Sequence, residues 1–237
     1  MYTIRNKGWI VLVAVIFLLT ACNGGPNAAI KPQQTPSQTP SQTQEIATSE
    51  ATGVTQTPES TEQPIEEGSP PTALEAAATV MRALSNGNMK TLAAWAHPQK
   101  GVRFSPYAYV DTKADLVFTR EELEGLMKDP TKRVWRTFAG TGELIELTFA
   151  QYYKQFVYDA DFMKDAKISL NEGLGQGTTI NNLNEVYPKD SYDFVEYHID
   201  GIDPANEGMD WRSLRLVFEK MGQDHALVGI IHDQWTP

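Results

Sequence analysis

The sequence predicts an α+β fold, with N-terminal helices packed on a curved antiparallel sheet. Two periodicities predict it. Apolar residues recur at helical spacing in separate segments between residues 72 and 158, and mostly at every second position in the last third. A third observation places the start of the fold: residues 23–71 contain no Phe, Trp or Tyr. A core of ordinary size is therefore expected only over residues 72–237.

Helices come first. Thr72-Ala73-Leu74-Glu75 is a capping box, in which Thr caps the first turn and Glu reaches back to it. Leu74, Ala77, Ala78, Met81 and Leu84 then fall at helical spacing and are expected to face the core. Asn86-Gly87 ends the helix, since Gly accepts a positive φ. Asn88 caps a second, short helix carrying Leu92 and Trp95, and Pro98 stops it. Thr119-Arg120-Glu121-Glu122 opens a third, closed by Asp129-Pro130. Thr148-Phe149-Ala150-Gln151 opens a fourth, with Phe149, Tyr152, Tyr153, Phe156 and Val157 on its apolar face.

Strands dominate the remainder. Residues 194–199 and 213–219 alternate, and 226–231 follows across Gly222 as a hairpin. Earlier strands are expected at 134–138, 144–147 and 167–170. Phe104, Tyr107 and Tyr109 are assigned to a loop, and Trp95 and Trp135 to the core.

The first 71 residues have another purpose. Arg5 and Lys7 precede an apolar run at 9–19 that is too short to span a membrane comfortably. This is the layout of a secretory signal. Leu19-Thr20-Ala21-Cys22 resembles the bacterial lipoprotein lipobox. That resemblance implies a signal peptide over 1–21 and a diacylglyceryl thioether on Cys22. Cys22 would anchor the mature chain to the extracytoplasmic face of the cell membrane. Cys22 is the only cysteine, so no internal disulfide can form. Residues 22–71 then read as a lipidated Cys followed by a Thr/Gln/Ser/Pro-rich tether holding 8 of the 14 prolines. Such a composition cannot bury enough apolar area to order itself. A coil of that length spans roughly 35–40 Å. A glycosylated stalk and a solvating tail are the rival readings.

The net charge is −10, of which −7 falls on residues 72–237. The acidity is dispersed, as on a solvated surface, and excludes the basic face that nucleic-acid binding needs.

Two further resemblances concern the folded segment. The helix order, with residues 83–92 and the closing run 226–232, is similar to the NTF2-like (cystatin-like α+β cone) superfamily. That implies a concave sheet able to form a pocket under the helices. Residues 97–107 and 210–216 resemble uncharacterised lipoproteins of Gram-positive bacteria, which implies no activity.

The chemistry-bearing residues are few. Period-2 geometry places Glu196 and His198 on one strand face, and groups His232 with Ala226, Val228, Ile230 and Gln234 on another. If these faces coincide, Glu196, His198 and His232 converge with Arg215 nearby. A histidine beside a carboxylate suits general acid–base work, but a stabilising ion-pair cluster carries more weight. Trp211, at a strand entrance, is balanced between core and ligand contact. These five form the candidate pocket. The histidines lack zinc-ligand spacing, and Asp159, Asp161 and Asp165 lack the spacing of a calcium loop. No metal or cofactor is expected. Gly173-Leu174-Gly175-Gln176-Gly177 lacks the Lys and the strand–loop–helix setting of a phosphate cradle, and reads as a loop or bulge.

Two functions stay open. The favoured one is a non-catalytic, lipid-anchored domain that binds a small ligand or an envelope partner. The other is a cone-pocket enzyme of isomerase or hydrolase type, using His198 and Glu196.

Overall fold

The computed structural model describes residues 68–236, apart from 176 and 178. Cys22 and residues 1–67 lie outside this range. The elements run α1 (Ala73–Ser85), α2 (Met89–Trp95), β1 (Val102–Ser105), β2 (Leu116–Phe118), α3 (Arg120–Gly125), β3 (Arg133–Thr137), β4 (Leu144–Leu147), α4 (Phe149–Phe156), α5 (Phe162–Asp165), β5 (Lys167–Leu170), α6 (Leu183–Val186), β6 (Tyr192–Ile199), β7 (Arg212–Met221) and β8 (Asp224–Gln234). Among the described residues no helix is long and apolar enough to cross a membrane.

All three capping boxes form. Thr72, Thr119 and Thr148 each accept from the backbone N–H three residues on, and Glu75, Glu122 and Gln151 accept from the cap's own N–H. The buried face of α1 differs from the expected one. Ala73, Ala76, Ala77, Val80, Met81 and Leu84 are buried, whereas Leu74 is exposed. The small alanines let the helix approach the core closely, and Leu74 is displaced to the rim.

The fold is α+β, with a mixed sheet. Its six strands lie in the order β2-β1-β8-β7-β6-β5, and β3 and β4 pair separately. The expected all-antiparallel sheet is corrected at one junction: β1 runs parallel to β8. Phe104 therefore sits in a strand rather than a loop. β1 and β2 carry no tight-hairpin signal; β1 pairs antiparallel with β2 on one side and parallel with β8 on the other.

The main core lies between the helices and one sheet face, which supplies Leu214, Leu216, Phe218, Leu227 and Ile230. Aromatic rings fill it: Trp135 stacks on Tyr152 at 3.7 Å, and Phe104 meets Phe149 edge-on at 5.4 Å. Such pairs add about 0.5–1.5 kcal/mol each beyond their burial. The other sheet face carries a smaller apolar cluster that includes Leu183, Tyr187, Val217, Val228 and Ile231.

A bulge in β8 decides which face each later side chain takes. Gly229 pairs with Val217 and Leu227 with Phe218, so Val228 is the extra residue. The alternation breaks there. Ile230 belongs to the main core, while Val228 and Ile231 belong to the smaller cluster. The expected grouping of Val228 with Ile230 and His232 fails for this reason.

Candidate functional site

Glu196 and Arg215 are direct partners across β6 and β7, a pairing set by their register. Arg215 Nη2 donates to Glu196 Oε1 at 3.1 Å and to Asp233 Oδ2 at 2.9 Å. Glu196 and Arg215 are fully buried and Asp233 nearly so. Burial pushes the Asp233 carboxyl above its ordinary value, and Arg215 pulls against that rise. Arg215 Nε and Nη1 have no hydrogen-bond partner in the described structure.

The glycine-rich segment seals this cluster. The backbone N–H groups of Leu174 and Gly175 donate to Glu196 at 2.7 and 3.0 Å. A Cβ on Gly175 would stand 2.5 Å from Ser213 Oγ and 2.9 Å from the Trp211 ring, so only glycine fits. The segment is thus a loop, as expected, and it caps a carboxylate.

His198 lies one row along the same face. Its Nδ1 is 2.8 Å from Ser213 Oγ, and its Nε2 is 3.2 Å from Asp200 Oδ1. Ser, His and Asp are therefore in sequence, as in a nucleophilic triad. The resemblance stops at access: Ser213 is fully buried beneath Gly175. Lys167 ties Asp200 and holds its carboxyl below the usual range. His198, Asp200 and Trp211 line a cavity of about 250 Å³, and the His198 and Trp211 rings lie 5.8 Å apart.

His232 does not join them. It pairs in register with Leu214, on the main-core face, and packs edge-on against Phe156 at 5.7 Å. Glu196, His198, Arg215 and Trp211 gather on the other face. The five candidates are thus split four and one by the sheet.

His232 has a different carboxylate. Its Nε2 lies 3.1 Å from Asp159 Oδ2, and Arg212 Nε donates to the same oxygen at 2.8 Å. Burial alone would raise the Asp159 carboxyl, but His232 and Arg212 outweigh it and hold it below its ordinary value. Asp159 Oδ1 is buried without a partner. Asp159 also lines an open cleft of about 680 Å³, together with Arg82, Asn86, Tyr158 and Asp161. Sequence reasoning places neither Asp159 nor Asp233 among the candidates. Each meets its partner through sheet register or a long-range turn, and no local spacing signals the pairing. Among the described residues no group of three or more His, Cys, Asp or Glu is arranged to hold a metal ion.

No family model and no curated protein matches this chain. Three solved structures are distantly similar. Aln2 from a Streptomyces species is 10% identical, with a TM-score of 0.32 over 68% of this chain and 86% of that one. A DUF4783 family protein from Bacteroides ovatus is 12% identical, at 0.25 over 66% and 93%. A putative calcium/calmodulin dependent protein kinase II association domain from Xanthomonas campestris is 14% identical, at 0.28 over 68% and 83%. Likenesses this remote carry no argument about what the chain does.

Proposed function

We propose that this chain is a membrane-anchored extracytoplasmic lipoprotein, held through acylated Cys22. Its NTF2-like domain binds a small ligand or an envelope partner and carries out no reaction. Anchoring is supported by Leu19-Thr20-Ala21-Cys22 directly behind an apolar run. Two acyl chains hold a protein on a membrane where one does so only marginally. The cone reading is supported by α1, α2 and α4 sharing one core with Leu214, Leu216 and Phe218 of the sheet.

The observation that carries binding over catalysis is the setting of Asp159. A general base works best with a pKa near the operating pH. His232 and Arg212 hold Asp159 below its ordinary value, so it acts as a fixed charge beside an open cleft. The enzyme alternative rests on His198 with Glu196. Both Glu196 oxygens are already taken by backbone N–H groups and Arg215, under a sealed loop.

Two measurements test the reading. Clickable fatty acid should label the wild-type chain and not Cys22→Ala; label retained by Cys22→Ala rules out this anchor. A thermal-shift screen of the detergent-solubilised full chain, against wall fragments and metabolites, should find a stabilising compound by mass action. Chemical consumption of that compound, abolished by His198→Ala, would favour the enzyme alternative.

A further inference from the structure

We infer that the outer edge of β5 docks β5 of a second copy of this chain, the two strands pairing antiparallel about a two-fold axis at Ser169. The two sheets then run on as one.

The edge is open. β5 is the last strand of the six-stranded sheet and pairs there with β6 alone. The Asn171 N–H donates to the Phe194 carbonyl at 2.8 Å, so by alternation Ser169 and Lys167 turn their backbone groups toward β6. Ile168 and Leu170 turn theirs outward, where they meet no partner among the described residues. Such a row is a template for another strand. β5 also lacks the usual guards of an edge. It holds no proline, and its register on β6 runs unbroken from Lys167 to Leu170. Its one charge, Lys167, is drawn to Asp200 at the end of β6. The opposite edge of the sheet, β2, is only three residues long.

The side chains point the same way. Ile168 and Leu170 share a sheet face with their partners Tyr197 and Val195, which are buried in the main core. Yet Ile168 is 56% exposed and Leu170 44%. The apolar surface of the core thus runs out across β5 and stops uncovered at the edge.

A second copy matches this edge in one register, with Ile168 opposite Leu170 and Leu170 opposite Ile168. Each opposed pair exchanges both backbone hydrogen bonds, so no outward group is left over. Apolar side chains meet on one face and the two Ser169 residues meet on the other. Lys167 meets Asn171, so no like charges oppose. A slip of two residues either way carries Leu170 or Ile168 past the end of the other strand. Strands of four residues cover less than the roughly 800 Å² per partner of a standard interface. Each domain also carries −7. The pairing is therefore weak, reversible and strengthened by salt.

The test uses the full chain in detergent with Cys22→Ala, so that Ser169→Cys or Ile168→Cys supplies the only thiol. The two-fold register sets the copies of position 169 directly opposite, about 4.5 Å apart at Cα and within disulfide reach. It sets the copies of position 168 roughly 7–8 Å apart, beyond that reach. Diamide should link the Ser169→Cys chains into dimers and leave the Ile168→Cys chains unlinked. With Cys22→Ala alone, the Ile168 and Leu170 amides should exchange about threefold more slowly at about 1 mM chain than at about 10 µM, by mass action. Ile168→Lys should remove that concentration dependence at an unchanged melting temperature, because the side chain is exposed and the added charge lowers the net repulsion. Equal exchange at both concentrations, or links formed as readily at 168 as at 169, overturns the inference. Protection at both concentrations without links at 169 assigns the edge to another segment, and overturns it too.

Discussion

Arg215→Met removes the cation that sits between two buried carboxylates. Glu196 keeps its two backbone donors from Leu174 and Gly175, but Asp233 loses its 2.9 Å partner at 2% exposure. Removing one member of a buried ion pair costs about 3–5 kcal/mol. Met also relieves the two unpartnered nitrogens of Arg215, which offsets about 1–3 kcal/mol. The expected loss at pH 7 is therefore between about 0 and 4 kcal/mol, centred near 2 kcal/mol, which at that centre is a fall in Tm of roughly 4–8 °C for a domain of this size. Its pH dependence follows from Asp233, whose carboxyl is raised above 3.8 by burial even with Arg215 present. A carboxyl raised in the folded state binds its proton more tightly there. Folding therefore gains stability as pH falls toward the folded value. Without Arg215 that gain grows and begins at higher pH, so the deficit of the variant should shrink between pH 7 and pH 5. Urea denaturation of the full chain in detergent, followed by tryptophan fluorescence at both pH values, measures it. A variant more stable than the wild type at pH 7, or a deficit that grows on acidification, refutes the role given to Arg215.

Other outcomes follow from the same geometry. Gly175→Ala should cost about 1–3 kcal/mol in the same unfolding assay, while Gly173→Ala, with its nearest neighbour at 3.6 Å, should cost much less. Asn182→Ala should destabilise by about 2–4 kcal/mol and speed amide exchange at Val110, because Asn182 donates to the Val110 carbonyl at 3.0 Å and accepts its N–H at 2.8 Å. Asp159 is held below 3.8, so its ionised form stabilises the fold above that value and the benefit is lost as pH falls through its lowered folded value. Asp159→Asn should cost about 1–3 kcal/mol at pH 7 and should flatten the loss of stability below pH 3.8 in acid titrations followed by fluorescence.

Chemistry is legible in the sequence where it is local. The three Thr caps satisfy N–H groups within a single turn, and their sequence pattern is the interaction itself. The 2-period at 194–199 and 213–219 becomes β6 and β7 because both faces of those strands are covered in regular alternation. Glu196 and Arg215 are paired by the sequence pattern and are bonded, since one face of paired strands brings them opposite. The rest depends on distant partners. β1 is four residues long and is held between β2, across a loop without a tight-turn signal, and the distant β8, so its own sequence does not announce a strand. His232 parts from its expected company because one extra residue, Val228, reverses the alternation beside it. Asp159 reads as one of three scattered acids, and only the packing of α4 against β8 reveals its histidine.

The measurement that tests the cleft as the binding site is a backbone amide shift map of the full chain, titrated with wall fragments and metabolites. The account predicts perturbations concentrated at Arg82, Ser85, Asn86, Tyr158 and Asp161, the residues around the open cleft. Perturbations confined to Leu174, His198, Gly208 and Trp211, or none with any compound, would contradict it.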